Sequence, residues 1–305
     1  MKEYLVIDNG GTFIKYALMN EAAEILEQDK VPTPQGNQLG MEAAARAYYE
    51  ALDSIVLPRK DRICGIAFST PGRIGDDGMC ITSGNLGYLT GHNLVPYCRE
   101  TYGLPAAVEN DGKCAALAEL WKGSLADVKN GLIFAFGTGI GGGIIINGEL
   151  YRGSHFAAGE ISNVAYDVDR MTEKGGRITD HVTAPALCEL FGEDSGEAVF
   201  ARVEAGEPEA LELLDRFAWK VAGSMASIQA VLDVDRIAIG GGISRRPELL
   251  EAIRSHIKEV VDPDIFIPLG GSPVQVPEIV TCRFFNEANL IGALYSLLKK
   301  EGNIE

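Results

Sequence analysis

Two stretches of this 305-residue chain decide its fold, namely YLVIDNGGTFIKYALMN at residues 4–20 and GLIFAFGTGIGGGIIING at residues 131–148. In each, an apolar run meets a glycine-rich turn and then resumes, which is the pattern of a β-hairpin. Glycine has no Cβ, so such a turn tolerates unusual backbone angles and close approach. The second stretch ends in Asn147-Gly148, a strong signal for another hairpin turn. The repetition predicts two related halves, each opening with strand, turn and strand.

The segments around these hairpins alternate between helical and extended patterns. Helices are predicted at residues 41–55, 114–121, 211–232, 247–260 and 289–300, and strands at residues 62–69, 106–108 and 236–239. This alternation predicts an α/β protein in which helices cover mixed sheets. The polar, aperiodic stretch 167–180 contains two adjacent glycines and is predicted to be a surface loop.

Composition argues against several classes of partner. The chain has 27 basic and 43 acidic side chains and a net charge of −16, which disfavours binding to nucleic acid or to an anionic membrane. No apolar stretch reaches the length of a signal-peptide core or a membrane span, so a cytoplasmic protein is expected. The six cysteines and four histidines are dispersed, and none stand at the spacing of a structural zinc site.

Two carboxylates occupy positions suited to chemistry. Asp8 ends the first strand beside the glycines and is placed to hold Mg²⁺ through water, although an aspartate there also suits turn capping. Asp111 follows Glu109 and Asn110 at a strand-to-helix junction. It is placed to act as a general base toward an attacking hydroxyl, with its two neighbours binding or orienting. The alternative for Asp111 is a helix N-cap.

The glycine-rich turns are suited to phosphate. Successive backbone amides form an anion-binding nest, so the two hairpins are placed to face opposite sides of a triphosphate. The alternative is a pair of ordinary tight turns. Neither hairpin is a Walker A sequence or a dinucleotide fingerprint. Gly240-Gly241-Gly242 follows a predicted strand and would let an adenine lie against the backbone, or it is a plain strand-to-helix turn.

Planar polar side chains suggest a sugar site. Asn85 lies in a polar loop, and Glu160 and Asn163 follow the second hairpin. Amide and carboxylate groups suit bidentate recognition of sugar hydroxyls, whereas the alternative is that they are solvated loop residues.

Taken in order, these segments resemble the ROK family of sugar kinases and sugar-responsive repressors over nearly the whole chain. Five motifs carry the resemblance: Asp8-Asn9-Gly10-Gly11-Thr12, Glu109-Asn110-Asp111, Gly137 to Gly143, Gly240-Gly241-Gly242, and Ala288-Asn289-Leu290-Ile291-Gly292-Ala293. The resemblance implies the two-lobed ribonuclease H-like/actin-like ATPase fold, each lobe a mixed β-sheet flanked by helices. It divides the chain into residues 1–112 plus about 289–305, and residues 113–288.

The resemblance also implies an activity and a set of site residues. The expected reaction transfers the γ-phosphoryl group of ATP, with Mg²⁺, to a hydroxyl of a hexose or β-glucoside, the 6-hydroxyl being favoured. Asp111 is the implied base and Asp8 the implied magnesium residue, and a homodimer is expected. The implied sugar ligands are Asn110, Glu160, Asn85, Ser69 and Asn163, and the implied ATP and phosphate residues are Asp8, Gly10, Gly11, Thr12, Lys15, Gly137, Thr138, Gly139, Gly141, Gly241 and Gly242.

The sequence departs from the family pattern in three places. Gly159-Glu160-Ile161-Ser162-Asn163 stands where the family usually has G-E-x-G-H, and the C-x-C-G-x-x-G-C-x-E zinc cluster is missing, so no zinc is expected. Asn9 replaces an apolar residue. Zinc-less members of the family include β-glucoside kinases, which residues 131–160 resemble most.

Alternatives to the β-glucoside assignment come from the same family. They are a glucokinase, an N-acetylmannosamine kinase, a non-catalytic sugar sensor and a transcriptional repressor. The repressor is not expected, because the first strand begins at Tyr4 and leaves no room for an N-terminal helix-turn-helix.

Overall fold

The computed structural model of the protein describes residues 1–262, 267 and 270–304. Residues 263–266, 268–269 and 305, which the predicted lobes include, lie outside the described residues. The chain divides into two compact units. Unit 1 contains Met1–Lys122, Arg152–Ala157 and Asn286–Glu305, and unit 2 contains Gly123–Tyr151 and Ala158–Phe285.

Unit 1 is built on a five-stranded mixed sheet. Its strands are β1 (Glu3–Asn9), β2 (Phe13–Asn20), β3 (Ile25–Pro32), β4 (Ile66–Thr70) and β5 (Ala106–Asn110), in the order β3-β2-β1-β4-β5. The first hairpin pairs β1 with β2 antiparallel, while β1, β4 and β5 run parallel. Because parallel strands end at the same edge, the carboxyl ends of β1, β4 and β5 lie side by side.

Unit 2 repeats this topology. Its strands are β6 (Gly131–Phe136), β7 (Ile140–Ile146), β8 (Glu149–Tyr151), β9 (Arg236–Gly241) and β10 (Glu278–Thr281), in the order β10-β9-β6-β7-β8. The antiparallel and parallel pairings occur in the same chain order as in unit 1. The prediction of two related halves is therefore confirmed.

Helices cover both sheets and confirm the α/β class. They are α1 (Gly36–Leu39), α2 (Met41–Val56), α3 (Leu94–Tyr102), α4 (Asp111–Lys122), α5 (Ala184–Phe191), α6 (Gly196–Glu204), α7 (Pro208–Leu232), α8 (Pro247–Val261) and α9 (Ala288–Lys300). Each unit has its own apolar core, to which α2 contributes in unit 1 and α7 and α8 in unit 2. In the described part of the chain, no helix combines the length and apolarity needed to cross a membrane.

The division into units differs from the predicted boundaries at 112–113 and 288–289. Helix α4 stays with unit 1 because it packs closely on α9. At their contact, a Cβ on Gly292 would overlap the carbonyl oxygen of Cys114, so only glycine permits this approach. The segment Arg152–Ala157 also belongs to unit 1 although the strands before it belong to unit 2.

The stretch 167–180 is more ordered than a surface loop. It contains two short 3-10 turns, Val168–Arg170 and Ile178–Asp180, and buries Gly175 and Gly176. Its many exposed polar residues agree with the prediction. Its internal hydrogen bonds were not predicted, because irregular turns leave no periodic pattern in the sequence.

Candidate active site

Asp8 lies next to the end of β1, and its side chain is only 7% exposed. Its Oδ1 accepts a hydrogen bond from Ser69 Oγ at 2.8 Å and another from Asn289 Nδ2 at 3.1 Å. Lys15 stands opposite Asp8 in the register of β1 and β2, but it makes no ion pair with it. Both hydrogen-bond donors are neutral and no ion pair blocks the carboxylate, an arrangement that suits a ligand of a hydrated cation.

Ser69 takes a different place from the predicted one. It is fully buried in β4, directly opposite Asp8 in the parallel register, and its hydroxyl is committed to that carboxylate. A fully buried side chain offers no surface to a sugar. The strand register, and not a loop position, sets the neighbour of Ser69, so its role as a sugar ligand stays a prediction that its surroundings do not favour.

Asn9 points to the opposite face of the sheet from Asp8, since successive strand residues alternate. Its side chain is 1% exposed, donates to Thr70 Oγ1 at 2.9 Å and accepts from the hydroxyl of Tyr48 at 3.2 Å. The polar residue that replaces an apolar one is thus satisfied inside the core. The asparagine at this position therefore leaves the space around the first glycine turn unchanged.

The turn from β5 into α4 carries the predicted base. Asn110 Oδ1 accepts from the backbone N–H of Lys113 at 3.0 Å, which is the hydrogen bond of an N-cap. The Asn110 amide also donates to Gly72 O at 2.8 Å and to Asp111 Oδ1 at 3.0 Å. Asp111 is the first residue of the helix, and its Oδ1 accepts from Gly112 N–H. The capping role considered for Asp111 therefore belongs to Asn110.

Two buried charges beside this turn have partners on the segment Arg152–Ala157. Glu109 is 2% exposed and forms an ion pair with Arg152, whose Nε lies 2.9 Å from Glu109 Oε2. Lys113 is 1% exposed, and its Nζ donates to Phe156 O at 3.1 Å. Sequence reasoning missed Arg152 and Lys113, because their partners lie 43 positions away and no motif contains both.

Three carboxylates of unit 1 act electrostatically on one buried thiol. Burial, and then the negative charges of Glu109, Asp8 and Asp111, raise the pKa of Cys114 well above its usual value. The thiol therefore stays neutral at physiological pH. The parallel register, which aligns Asp8 with Ser69 and Ser69 with Glu109, brings Asp8 and the turn of Asp111 to the same end of the sheet.

The first glycine turn and Asn85 are neighbours. Gly10 N–H donates to the carbonyl oxygens of Asp8 and Phe13, and a Cβ on Gly10 would lie 2.8 Å from Phe13 O. Gly11 has open space, with the Asn85 amide nitrogen 3.8 Å from its ideal Cβ position. Gly11, Thr12 and Asn85 are exposed. This edge of unit 1 therefore brings a predicted phosphate turn next to a predicted sugar ligand.

The glycines of the second hairpin fall into two groups. A Cβ on Gly142 would lie 2.6 Å from Gly159 O, so the fold itself requires glycine there. By contrast, a Cβ on Gly137, Gly139 or Gly141 would meet no atom closer than 3.6 Å. The protein interior gives these three positions no steric reason to be glycine. A ligand approaching the backbone would supply that reason, and this fits a phosphate chain.

A cavity of about 690 Å³ in unit 2 adjoins the second hairpin. Its walls include Gly137 and Thr138 from the hairpin, Gly242 from the glycine triplet, and residues of α5 and α6. Gly241 has φ +90°, and a Cβ there would overlap Phe136 O, so the triplet packs directly on β6. Two motifs predicted separately for nucleotide binding thus line one cavity. The sequence did not identify the walls from α5, such as Pro185, or from the start of α6 and its N-cap Ser195.

Glu160 and Asn163 lie together on a short turn of unit 2. Both are exposed: Glu160 immediately precedes the 3-10 turn Ile161–Asn163 and Asn163 ends it, while Ile161 anchors the turn in the core. Gly159, at φ +87°, places this turn against Gly142. Among the residues that the structure describes, no group of three or more histidine, cysteine, aspartate or glutamate side chains could hold a metal ion.

Two α/β units with the same strand order, each opened by a glycine hairpin, define the ribonuclease H-like/actin-like ATPase fold, as predicted. A solved structure of a ROK family protein from Streptococcus pneumoniae TIGR4, in complex with sucrose, superposes with a TM-score of 0.82 at 27% identity, over 99% of this chain and 100% of that one. The profile of the ROK family matches residues 4–188 and 191–300. The chain belongs to the ROK family.

Curated relatives of the chain include sugar kinases. A β-glucoside kinase from Listeria monocytogenes serovar 1/2a is 29% identical over 98% of each chain. A glucokinase from Halalkalibacterium halodurans is 28% identical over 99% of this chain and 97% of its own. Both relatives span nearly the full length, so the similarity includes both units.

Proposed function

We propose that the protein is an ATP-dependent sugar kinase that phosphorylates a hydroxyl of a hexose or β-glucoside. The observation that carries the proposal is the unit 2 cavity, where the second hairpin and the glycine triplet meet. A volume of about 690 Å³ falls in the range of small-molecule and cofactor pockets. The similarity to curated β-glucoside kinases and glucokinases supports the same activity.

Backbone amides bind the phosphates in this proposal. The sterically unexplained glycines Gly137, Gly139 and Gly141 allow a phosphate chain to approach the hairpin backbone, and Gly11 does the same in unit 1. Gly241 and Gly242 form the floor beneath the adenosine. Asp8 holds Mg²⁺ through water, and Mg²⁺ supplies neutralisation of phosphate charge when it is bound.

Asp111 acts as the general base. Its place at the first residue of α4, beside the buried Glu109–Arg152 pair, fixes it at the edge where β1, β4 and β5 end. It accepts the proton of the attacking sugar hydroxyl, and such assistance contributes about 10²–10⁴-fold. Positioning and charge neutralisation supply the remainder, because the transition state of phosphoryl transfer is loose.

The sugar ligands are Asn85, Asn110, Glu160 and Asn163, with the 6-hydroxyl as the favoured acceptor. Asn85 beside Gly11 supports this choice in unit 1, and the shared exposed turn of Glu160 and Asn163 supports it in unit 2. The Asn110 amide already makes three hydrogen bonds, so it contributes as a rigidly held group. Homodimer formation and cytoplasmic location stay predictions.

A coupled assay of ADP release tests the proposal. Wild-type protein and Asp111→Asn are compared with MgATP and a panel of glucose, β-glucosides such as cellobiose, and N-acetylmannosamine. We expect turnover with one acceptor class, and a loss of about 10²–10⁴-fold in kcat for the variant because the base is lost. Unchanged ATP affinity in Asp111→Asn serves as the control for folding.

The panel separates the alternatives. Turnover with glucose alone would identify a glucokinase, and turnover with N-acetylmannosamine would identify a kinase of that amino sugar. Near-wild-type kcat in Asp111→Asn would refute the assignment of the base. ATP binding without turnover on any sugar would instead support a non-catalytic sensor.

A further inference from the structure

The Asp8 carboxylate is held in an asymmetric way. Both of its described hydrogen bonds, from Ser69 and Asn289, end on Oδ1, and no described residue donates to Oδ2. Two donors on one oxygen fix the rotation of the carboxylate. The second oxygen keeps its lone pairs for another ligand.

The two donors come from elements that cannot shift easily. Ser69 is set by the parallel register of β1 and β4, in which it pairs with Asp8. Asn289 lies in the first turn of α9, one turn before Gly292, and residues three apart share one helix face. Gly292 lets this face of α9 pack against the Cys114 carbonyl of α4. The same packing contact holds Asn289 within hydrogen-bond distance of Asp8.

The chemistry of the donors also matters. A hydroxyl and a carboxamide orient the carboxylate but leave its charge intact, whereas a lysine or arginine partner would neutralise it and compete with a metal ion. Hydrogen bonds from surrounding groups commonly orient a metal-binding carboxylate in this way.

We propose that Asn289 and Ser69 are positioning residues of the magnesium site, which aim Asp8 Oδ2 at the hydrated ion. This inference rests on the proposed function, since it requires that MgATP is the nucleotide substrate. It assigns a role to Asn289 in helix α9, a residue that none of the predicted sites includes. Neither residue touches ATP or sugar in this role, so both act through Asp8.

The test measures ATP affinity by calorimetry in Mg²⁺ and in EDTA, without sugar and without turnover. We expect wild-type protein to bind ATP more tightly in Mg²⁺. In EDTA, we expect Asn289→Ala to bind ATP as tightly as wild type does. In Mg²⁺, we expect the variant to bind ATP about tenfold more weakly than wild type, as is typical when a residue that hydrogen-bonds to a metal ligand is removed. Ser69→Ala removes the other donor without altering α9 and is expected to act in the same direction.

Ser296→Ala is the matched control. Ser296 is also a buried polar residue of α9, at 5% exposure, and its hydroxyl has no hydrogen-bond partner among the described residues. We expect it to leave both affinities unchanged, which would show that altering the helix is not enough.

The outcomes distinguish this inference from the function beneath it. The positioning role would be overturned if a variant lost ATP affinity equally in Mg²⁺ and in EDTA. It would also be overturned if neither Asn289→Ala nor Ser69→Ala lost ATP affinity in Mg²⁺. Both results would leave the kinase proposal intact. If Asn289→Ala does not fold, Ser69→Ala decides alone. Wild-type ATP binding that does not respond to Mg²⁺ would overturn the MgATP proposal, and the inference with it.

Discussion

Gly137 and Gly142 belong to the same hairpin, yet the structure gives them different reasons to be glycine. Gly142 faces the carbonyl oxygen of Gly159 at a distance that admits no Cβ, while a Cβ on Gly137 would make only an ordinary contact, 3.6 Å from Gly139 O. The sequence shows both only as letters in one glycine-rich run. At the residue scale, the contacts therefore separate a requirement of folding, at Gly142, from the proposed requirement of ligand binding, at Gly137.

This difference predicts opposite effects of two alanine substitutions. Gly142→Ala is expected to lower the free energy of unfolding by about 1–3 kcal/mol, because the added methyl must push a backbone segment away. Gly137→Ala is expected to fold like wild type but to bind ATP about tenfold more weakly, a loss of about 1.4 kcal/mol. Denaturant unfolding and calorimetric titration measure the two quantities. Equal ATP affinity in wild type and Gly137→Ala would argue against a phosphate at this turn.

At the scale of elements, helix α9 contacts both elements that carry the proposed active-site carboxylates. It packs on α4, which begins with Asp111, and it donates to Asp8 at the end of β1. The sequence predicted this helix from its apolar period and matched it to a family motif. The reason for the motif is visible only in the packing, where a Cβ on Gly292 would overlap the Cys114 carbonyl of α4.

Two helical glycines provide a matched test of that packing. Ala is favoured over Gly in a helix by about 0.5–1 kcal/mol, so Gly223→Ala in α7, where a Cβ meets nothing within 4 Å, should stabilise the protein by that amount. Gly292→Ala gains the same propensity but overlaps the Cys114 carbonyl, so a net loss of about 1–3 kcal/mol is expected. Thermal and denaturant unfolding of both variants measure the difference. A stabilised Gly292→Ala would mean that the α4–α9 contact is looser than described.

At the scale of the whole molecule, the two units have separate apolar cores and repeat one topology. The proposed adenosine cavity is lined entirely by residues of unit 2. We therefore expect nucleotide binding to slow hydrogen exchange in unit 2 around this cavity.

Hydrogen exchange with and without ADP tests this expectation. At a concentration 100 times its dissociation constant, a ligand stabilises its bound state by about 2.7 kcal/mol. We expect slower exchange in residues 136–138, in the segment 184–196 and at residue 242, which together contain the residues lining the cavity, and unchanged exchange in α2 of unit 1. Protection confined to unit 1 would contradict the placement of the nucleotide.

The sequence by itself determined the features that depend on local order. Apolar alternation predicted the hairpins, helical spacing predicted α2, α7, α8 and α9, and glycine runs marked both turns, because these signals arise within a few residues. The repeated design predicted the duplicated topology, and the spacing of Glu109-Asn110-Asp111 placed a carboxylate at a strand-to-helix junction.

Only the tertiary structure decided which side chains meet. Asn289 reaches Asp8 across 281 positions, and Arg152 reaches Glu109 across 43. Ser69 proved to be a buried partner of Asp8, Asn110 took the cap that Asp111 was considered for, and α4 stayed in unit 1. Strand register and the approach of helices set these contacts. They depend on the packing of distant elements, for which a single sequence carries no local signal.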